Sequence, residues 1–269
     1  MSVIKLSEIT DFNVAKYGGK AVSLAKMLKA GVSVPPGFVI DTDSYLQMDD
    51  DLREQINSAF IDLDAECVAV RSSAPAEDGD SAAWAGQLET FLNTTNDNLI
   101  ENIEACWASL GSDRAKAYAE ENDVDLSTQK VAVIVQAMVQ SDVSGVAFSV
   151  HPVTQNIDQV VIEAAYGLGE AVVSGQVTPD TYVVSKNSGR INDKYIAKQT
   201  KRLDKKGWQG VSEDGGVQKI SDEQITELTA MAVKLEDYFD MPIDVEWLLK
   251  EGILYITQSR PITTLEKKI

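Results

Sequence analysis

Apolar residues recur every third or fourth position in some stretches of this chain and at alternate positions in others, and the two periods sort it into helices and strands. Ala21, Leu24, Ala25 and Leu28 have helical spacing, predicting a helix over 18–30 that Gly31 ends. Pro35-Pro36-Gly37 leads into a short strand, Phe38-Val39-Ile40. Short acidic helices are expected over 43–62, then a buried strand from Cys67 to Arg71 and a loop from Ser72 to Gly86, rich in Ser, Ala, Gly and acids. Helices follow at 96–110 and 112–121. The continuous apolar run from Lys130 to Val139 has the pattern of a strand covered on both faces. Further strands are expected near 144–150, 159–165, 181–186 and 194–199. A helix over 221–239 starts at the cap Ser221, with acids in its first turn. Its stripe is Ile225, Leu228, Met231, Ala232 and Leu235. No repeat, low-complexity stretch or flexible linker stands out. The class is α+β.

The strongest alternation comes last. Two short apolar runs with polar residues at alternate positions flank Lys250-Glu251-Gly252, which reads as a β-hairpin with Gly252 closing a three-residue loop. Centred on Glu251, the expected register pairs Asp244 with Gln258 and puts Glu246 and Arg260 on their face; a one-residue slip would scatter the four. Hard oxygen donors beside a planar guanidinium suit Mg²⁺ and a polyphosphate. A surface salt-bridge patch on an edge hairpin would use the same residues.

At 269 residues and 44% hydrophobic, the chain can bury a substantial core as one large domain or two lobes. It has no run of eighteen apolar residues and no basic-then-apolar leader, so a cytoplasmic protein without membrane contact is expected. Cys67 and Cys106 lie in apolar surroundings without metal or redox spacing and read as buried thiols. A net charge of −18 argues against nucleic acid as a partner. It is compatible with ATP if Lys and Arg are concentrated where the nucleotide binds.

Four further stretches carry a family resemblance. They are Lys16-Tyr-Gly18-Gly19-Lys20-Ala-Val-Ser-Leu24, Val68-Ala-Val70-Arg71-Ser72-Ser73-Ala74, Trp84-Ala-Gly86-Gln-Leu-Glu89-Thr90-Phe-Leu92 and Glu163-Ala-Ala-Tyr-Gly167-Leu-Gly169-Glu170-Ala-Val-Val-Ser174-Gly175. With the hairpin they resemble, in order, the signatures of the ATP-grasp nucleotide-binding domain of the phosphoenolpyruvate synthase and pyruvate phosphate dikinase family. Rifampicin phosphotransferase carries a similar domain. The resemblance runs from about residue 9 to Thr264. It implies a two-lobed ATP-grasp fold with the nucleotide cleft between lobes 1–135 and 136–269, a hinge at 136–140, a phosphate lid at 74–86 and a metal-binding hairpin at 243–260. The first lobe is trimmed, because the family's longer helical insertion between Phe38 and Cys67 is missing.

Site residues follow from the same resemblance. Lys20, after two glycines at a helix start, and Arg71, leaving a core strand, contact phosphates. With Arg260 they form the implied catalytic set. Gly86 and Thr90 lie near the phosphates, and Trp84 anchors the lid; Glu89 has the weaker case and reads as structural. Gln136, Met138 and Val139 meet adenine at the hinge, largely through backbone groups. Glu163 contacts the ribose or lid. Glu246, Gln258 and Asp244 are the implied Mg²⁺ residues, Asp244 binding the ion directly or standing just behind its ligands, and Arg260 stabilises charge developing during transfer. Gly167-x-Gly169 lacks the third glycine and helix spacing of a dinucleotide fingerprint.

Dikinases of this family relay phosphate through a histidine on another domain. This chain has one histidine, His151, in Ser149-Val-His-Pro-Val-Thr154, and that segment resembles a family turn that is not the phosphocarrier. The expectation is therefore the ATP-binding subunit or domain of a split phosphotransferase, with a separate phosphohistidine-carrier protein or domain and an unknown small-molecule acceptor. An autonomous kinase or ligase and a non-catalytic nucleotide-binding module are the alternatives.

Overall fold

The computed structural model describes residues 2–75, 88–263 and 265. The chain forms two compact units, Met1–Lys29 with Pro35–Met138, and Ala30–Val34 with Val139–Ile269.

The first unit runs β1 (Val3–Lys5), α1 (Val14–Lys29), β2 (Gly37–Ile40), α2 (Asp50–Asp62), β3 (Val68–Ser73), β4 (Thr90–Thr94), α3 (Leu99–Ala108), α4 (Asp113–Glu121) and β5 (Ala132–Ala137). Its strands form one antiparallel sheet in the order β1-β2-β5-β3-β4. The continuous apolar run becomes the central strand, with Ala132 to Val135 fully buried. Strand alternation sends Phe38, Ile40, Val68, Val70, Val133 and Val135 to one face, against Leu52 and Ile56 of α2 and Leu99, Ile103, Cys106 and Trp107 of α3. On the other side α1 lies against β3 and β5. Cys67 and Cys106 are buried free thiols, as their surroundings indicate. The apolar pattern does not mark β4 as a strand.

Helix α1 is fastened to β3 at its start. Gly18 breaks the helix with φ 76° and ψ 164°, and a Cβ there would lie 2.1 Å from the Ser73 carbonyl oxygen. The next residues bond across that contact: Gly19 N donates to Ala74 O (3.0 Å) and Ala21 N to Ser73 Oγ (3.2 Å).

The second unit contains β6 (Val143–Phe148), β7 (Gln159–Tyr166), α5 (Glu170–Val173), β8 (Asp180–Ser185), β9 (Ile191–Tyr195), β10 (Lys201–Asp204), β11 (Gly207–Gly210), α6 (Asp222–Phe239), β12 (Ile243–Lys250) and β13 (Ile253–Pro261). Six antiparallel strands pair in the order β13-β12-β6-β7-β8-β9, and β10 and β11 make a separate hairpin. Helix α6 starts in a capping box between Ser221 and Gln224. It buries Ile225, Leu228, Ala232 and Leu235 as the period requires. Met231 is only half-buried; Thr229 is buried on the same helix, its hydroxyl donating to Ile225 O (2.8 Å).

The strand expected at 194–199 is instead β9, ending at Tyr195. Residues beyond it spend their polar groups elsewhere. Gln199 uses its side-chain amide as a surrogate strand edge, accepting from Tyr166 N (2.8 Å) and donating to Tyr166 O and Lys201 O (both 2.9 Å). Ala197 N donates to Asp180 Oδ1 (2.9 Å). Asp180 pairs with Lys219 Nζ at 2.9 Å, both side chains fully buried. Lys219 Nζ also donates to the Ala197 and Gly215 carbonyls, and Asp180 accepts from Tyr182 OH (2.7 Å) and Lys219 N (2.9 Å). Satisfaction of this kind is what makes a desolvated ion pair tolerable.

Substituting Gly18 by Ala should cost about 3 kcal/mol or more, because a strained backbone and a backbone clash coincide. Urea unfolding of the variant checks this; stability within error of the parent would mean that the α1–β3 junction is looser than described.

Candidate active site

The C-terminal hairpin is built differently from the expected register. Lys250 pairs with Ile253, so the loop has two residues, Glu251 (φ 50°) and Gly252 (φ 80°). Two positive φ values make this the type I′ connection that matches strand twist. Asp142 steadies it, one carboxylate oxygen accepting from Glu251 N (2.9 Å) and the other from Lys250 Nζ (3.0 Å). The Glu251 N–H, chiefly, holds the Asp142 carboxyl below its usual range.

Extended outward without interruption, that turn would pair Glu246 with Thr257 and turn Gln258 and Arg260 to the opposite face. A bulge prevents this. Trp247 faces Ile256 while Glu246 faces Gln258, so Thr257 is the extra residue. Asp244 therefore pairs with Arg260, and not with Gln258 as a three-residue loop centred on Glu251 would require. All four polar side chains still share one face, because turn and bulge each shift the register by one residue. The burial pattern changes phase at the same point: Leu254 and Ile256 are buried, then Ser259.

Cross-strand pairing extends this face over the sheet. Gln258, Glu246, Val146, Glu163 and Thr181 occupy one row through β13, β12, β6, β7 and β8. Arg260, Asp244, Phe148 and Val161 make the next. Glu163 is thus two strands, about 10 Å, from Glu246. Val146, Ala165 and Val172, with Phe148 and Val177 against them, form an apolar floor beside the carboxylates. Arg260 Nε donates to both Asp244 oxygens (2.9 and 3.0 Å). Burial pushes the Asp244 carboxyl up, the Arg260 guanidinium opposes that and Glu246 adds to it. Burial alone raises Glu163.

Three oxygen-donor side chains on one face fit Mg²⁺, which takes one or two protein carboxylates and completes its shell with phosphate and water. Asp244 is committed to Arg260, so Glu246 and Gln258, direct cross-strand neighbours, are the pair suited to the ion. Among the described residues no three His, Cys, Asp or Glu side chains form a closed metal cage.

The Gly-x-Gly segment is fastened by its own carbonyls and amides. Ser141 and Ser144 hydroxyls donate to Gly167 O (2.8 and 2.6 Å), Gly167 N donates to Asp142 O (3.1 Å) and Leu168 N to Leu203 O (2.9 Å). His151 holds a turn, its Nδ1 accepting from Val153 N (3.2 Å) and Thr154 N (3.3 Å).

In the first unit, Lys20 Nζ reaches Ser72 O (3.2 Å), immediately beyond Arg71. Arg71 faces Thr90 across β3 and β4, and its Nη1 lies 3.5 Å from Gln136 Oε1. Gln136 is buried and donates through Nε2 to Pro35 O (3.1 Å). Lys20, Arg71, Thr90 and Gln136 thus gather at one site of that unit. Met138 N donates to Cys67 O (3.0 Å), which commits its N–H. Glu89 is exposed and pairs with Arg114 (3.1 Å). Gly86, Trp84 and most of the expected lid lie outside the described residues. Val139, Glu163, Asp244, Glu246, Gln258 and Arg260 belong to the second unit.

The model of the pyruvate phosphate dikinase AMP/ATP-binding domain matches residues 14–67 and 45–269. The chain belongs to this dikinase family. It is 41% identical over 354 residues to a probable phosphoenolpyruvate synthase of Pyrococcus horikoshii, covering 97% of this chain and 43% of that protein. It is 37% identical over 316 residues to another from Methanocaldococcus jannaschii, covering 97% and 27%. The chain therefore spans less than half the length of either. D-Alanine–D-alanine ligase from Helicobacter pylori aligns over 93% of the chain and 54% of its own, at 12% identity and a TM-score of 0.45. Among the described residues no helix of this dikinase-family chain is long and apolar enough to cross a membrane.

Removing the Arg260 side chain leaves the Asp244 carboxylate desolvated and unopposed, so Arg260→Ala should destabilise by about 1–3 kcal/mol at neutral pH. Asp244 already has a raised carboxyl in the folded state, and the substitution raises it further. Folded protein then holds the proton more tightly, so the loss is largest above the folded pKa and shrinks as pH falls towards the unfolded value. Urea unfolding of parent and variant at neutral and acidic pH measures the difference; an equal loss at both would mean that the pair carries no such strain.

Proposed function

We propose that this chain binds Mg-ATP and transfers its pyrophosphoryl or phosphoryl group to a histidine on a separate protein or domain, releasing AMP and phosphate. The observation that carries the reading is the second-unit sheet face that collects Asp244, Glu246, Gln258 and Arg260, in a chain of the dikinase AMP/ATP-binding family. The one histidine of the sequence supports an acceptor elsewhere, since His151 spends its Nδ1 in a turn.

In this reading the ATP-grasp chemistry is positioning and charge neutralisation. Lys20, Arg71 and Arg260 offset the negative charge of the triphosphate, and Thr90 and Gly86 approach the phosphates. Glu246 and Gln258 hold Mg²⁺; the ion, when bound, neutralises charge on the phosphate oxygens. Asp244 keeps the Arg260 guanidinium aligned through Nε to meet charge that develops in transfer. Gln136 braces Arg71, accepting from its guanidinium through Oε1 while its own Nε2 donates to the Pro35 carbonyl. Met138 meets adenine through its carbonyl, its N–H being committed to Cys67, with Val139 next to it. Glu163 contacts the ribose or the lid. The acceptor imidazole displaces AMP and takes the pyrophosphoryl group. Water then releases one phosphate and leaves the other on that histidine, ready for an unidentified small-molecule acceptor. A cytoplasmic setting supplies ATP and Mg²⁺ together.

The test is nucleotide binding and turnover with ADP, AMP, phosphate and pyrophosphate resolved. The expected outcome is tight ATP binding with negligible steady turnover by the chain alone, and AMP as the nucleotide product once a histidine-bearing partner is added. Sustained ADP formation without any partner would overturn the reading in favour of an autonomous kinase. Glu246→Ala should weaken ATP binding roughly tenfold or more in Mg²⁺ and make it nearly indifferent to the metal; unchanged metal dependence would remove Glu246 from the site.

A further inference from the structure

Positive charge is unevenly placed in this acidic chain. From Lys198 to Lys206, five of nine residues are Lys or Arg and one is acidic, the densest basic run in a sequence of net charge −18. Lys198, Lys201, Arg202, Lys205 and Lys206 are all exposed. Among the described residues, Lys198, Lys201, Arg202 and Lys206 make no salt bridge. The one acid of the run, Asp204, is turned inward on its own loop, accepting from Lys206 N (2.7 Å). A basic cluster in an acidic chain focuses potential where it stands, although Arg202 also feels the Asp142 carboxylate.

The cluster is carried on a fixed support. Residues 197–219 are pinned by the buried Lys219–Asp180 pair and by the Gln199 amide on Tyr166. Lys205 N donates to Gln140 Oε1 (3.2 Å), and Leu203 O receives Leu168 N. The β10–β11 hairpin therefore abuts the Gly167–Gly169 segment. It also displays an aromatic: Trp208 is 40% exposed, with Lys201 Nζ 4.2 Å above its ring. A partly exposed Trp amid Lys and Arg on a rigid hairpin has the make-up of an interface centre.

We propose that the β10–β11 hairpin, with Lys198, Lys201, Arg202, Lys206 and Trp208, is the docking surface for an acidic face of the protein or domain that brings the acceptor histidine. The proposal rests on the phosphotransfer reading above and adds to it the partner's charge and place of contact. Nucleic acid fits less well. One face of the Trp208 ring is already taken by an ammonium group, which removes the platform for a base.

The experiment uses the full chain and the triple variant Lys201→Glu, Arg202→Glu, Lys206→Glu. The probes are a poly-glutamate peptide and single-stranded poly-uridine RNA, followed by Trp fluorescence with Trp208→Phe as the assignment control. Poly-glutamate should bind the parent, change the Trp208 signal, lose affinity as salt rises, and bind the triple variant roughly tenfold more weakly or worse. ATP binding should be the same in both proteins, which separates failure of the docking surface from failure of the nucleotide site. Lys20→Ala should in turn lose ATP and keep the peptide. Tighter binding of the RNA would overturn the proposal in favour of a nucleic-acid surface. Peptide binding that the triple variant retains, or no binding of either probe, would also overturn it. So would parent-only self-association in sedimentation, which would give the surface to a second copy of the chain.

Discussion

The polar face of the second unit depends on a count of residues. A two-residue turn fixes the near end of the hairpin, and one extra residue at Thr257 fixes the far end. The backbone has only two ways to face a side chain, so an odd shift would separate Glu246 from Gln258 and an even one keeps them together. Turn and bulge supply one residue each. The ion pair of Asp244 with Arg260 and the place of Gln258 at the end of the row through Glu246 both follow from that parity.

The first unit solves a similar problem with a glycine instead of a bulge. Lys20 and Arg71 are 51 positions apart in the sequence, and what joins them is the approach of the α1 start to the end of β3. Gly18 supplies both the backbone angle and the missing Cβ. Two short motifs that are individually weak in sequence become one structural junction. Its members differ in kind: Gly18 and Ser73 set the spacing, while Lys20 and Arg71 supply the charge.

Much of this is legible in the amino-acid pattern, and the places where the pattern misleads have definite causes. Long periodic segments carry their own positions, as α6 shows with its Ser221 cap and four of its five stripe residues buried. The central strand follows from an uninterrupted apolar run. Alternation alone groups Asp244, Glu246, Gln258 and Arg260, although it misassigns the pairing within the group, because its errors in loop length and bulge compensate. The phase change between Ile256 and Ser259 is the available signal. The strand expected at 194–199 fails because side-chain amides can take over main-chain pairing, as Gln199 does, and hydrophobic period does not register that. The β10–β11 hairpin escapes for a related reason: its strands are short and polar, and it stands outside the main sheet. Gln136 is picked out by the family resemblance and not by the apolar pattern around it, and its bonds to Arg71 and the Pro35 carbonyl come only with the fold.

The assignment of Ala30–Val34 to the second unit has a consequence for dissecting the protein. This five-residue stretch interrupts the first unit in sequence, and Ser33 O accepts from Ile256 N (2.9 Å), near the far end of the chain. A cut between Met138 and Val139 therefore yields no pair of self-sufficient modules. The leading fragment would carry a strip of backbone whose partner is on the trailing one, and the trailing fragment would expose an uncovered amide on β13. During synthesis the same strip must wait for the last hairpin to emerge. The two units are distinct as bodies but not as segments, so a circular permutant opened elsewhere would preserve what a simple truncation destroys.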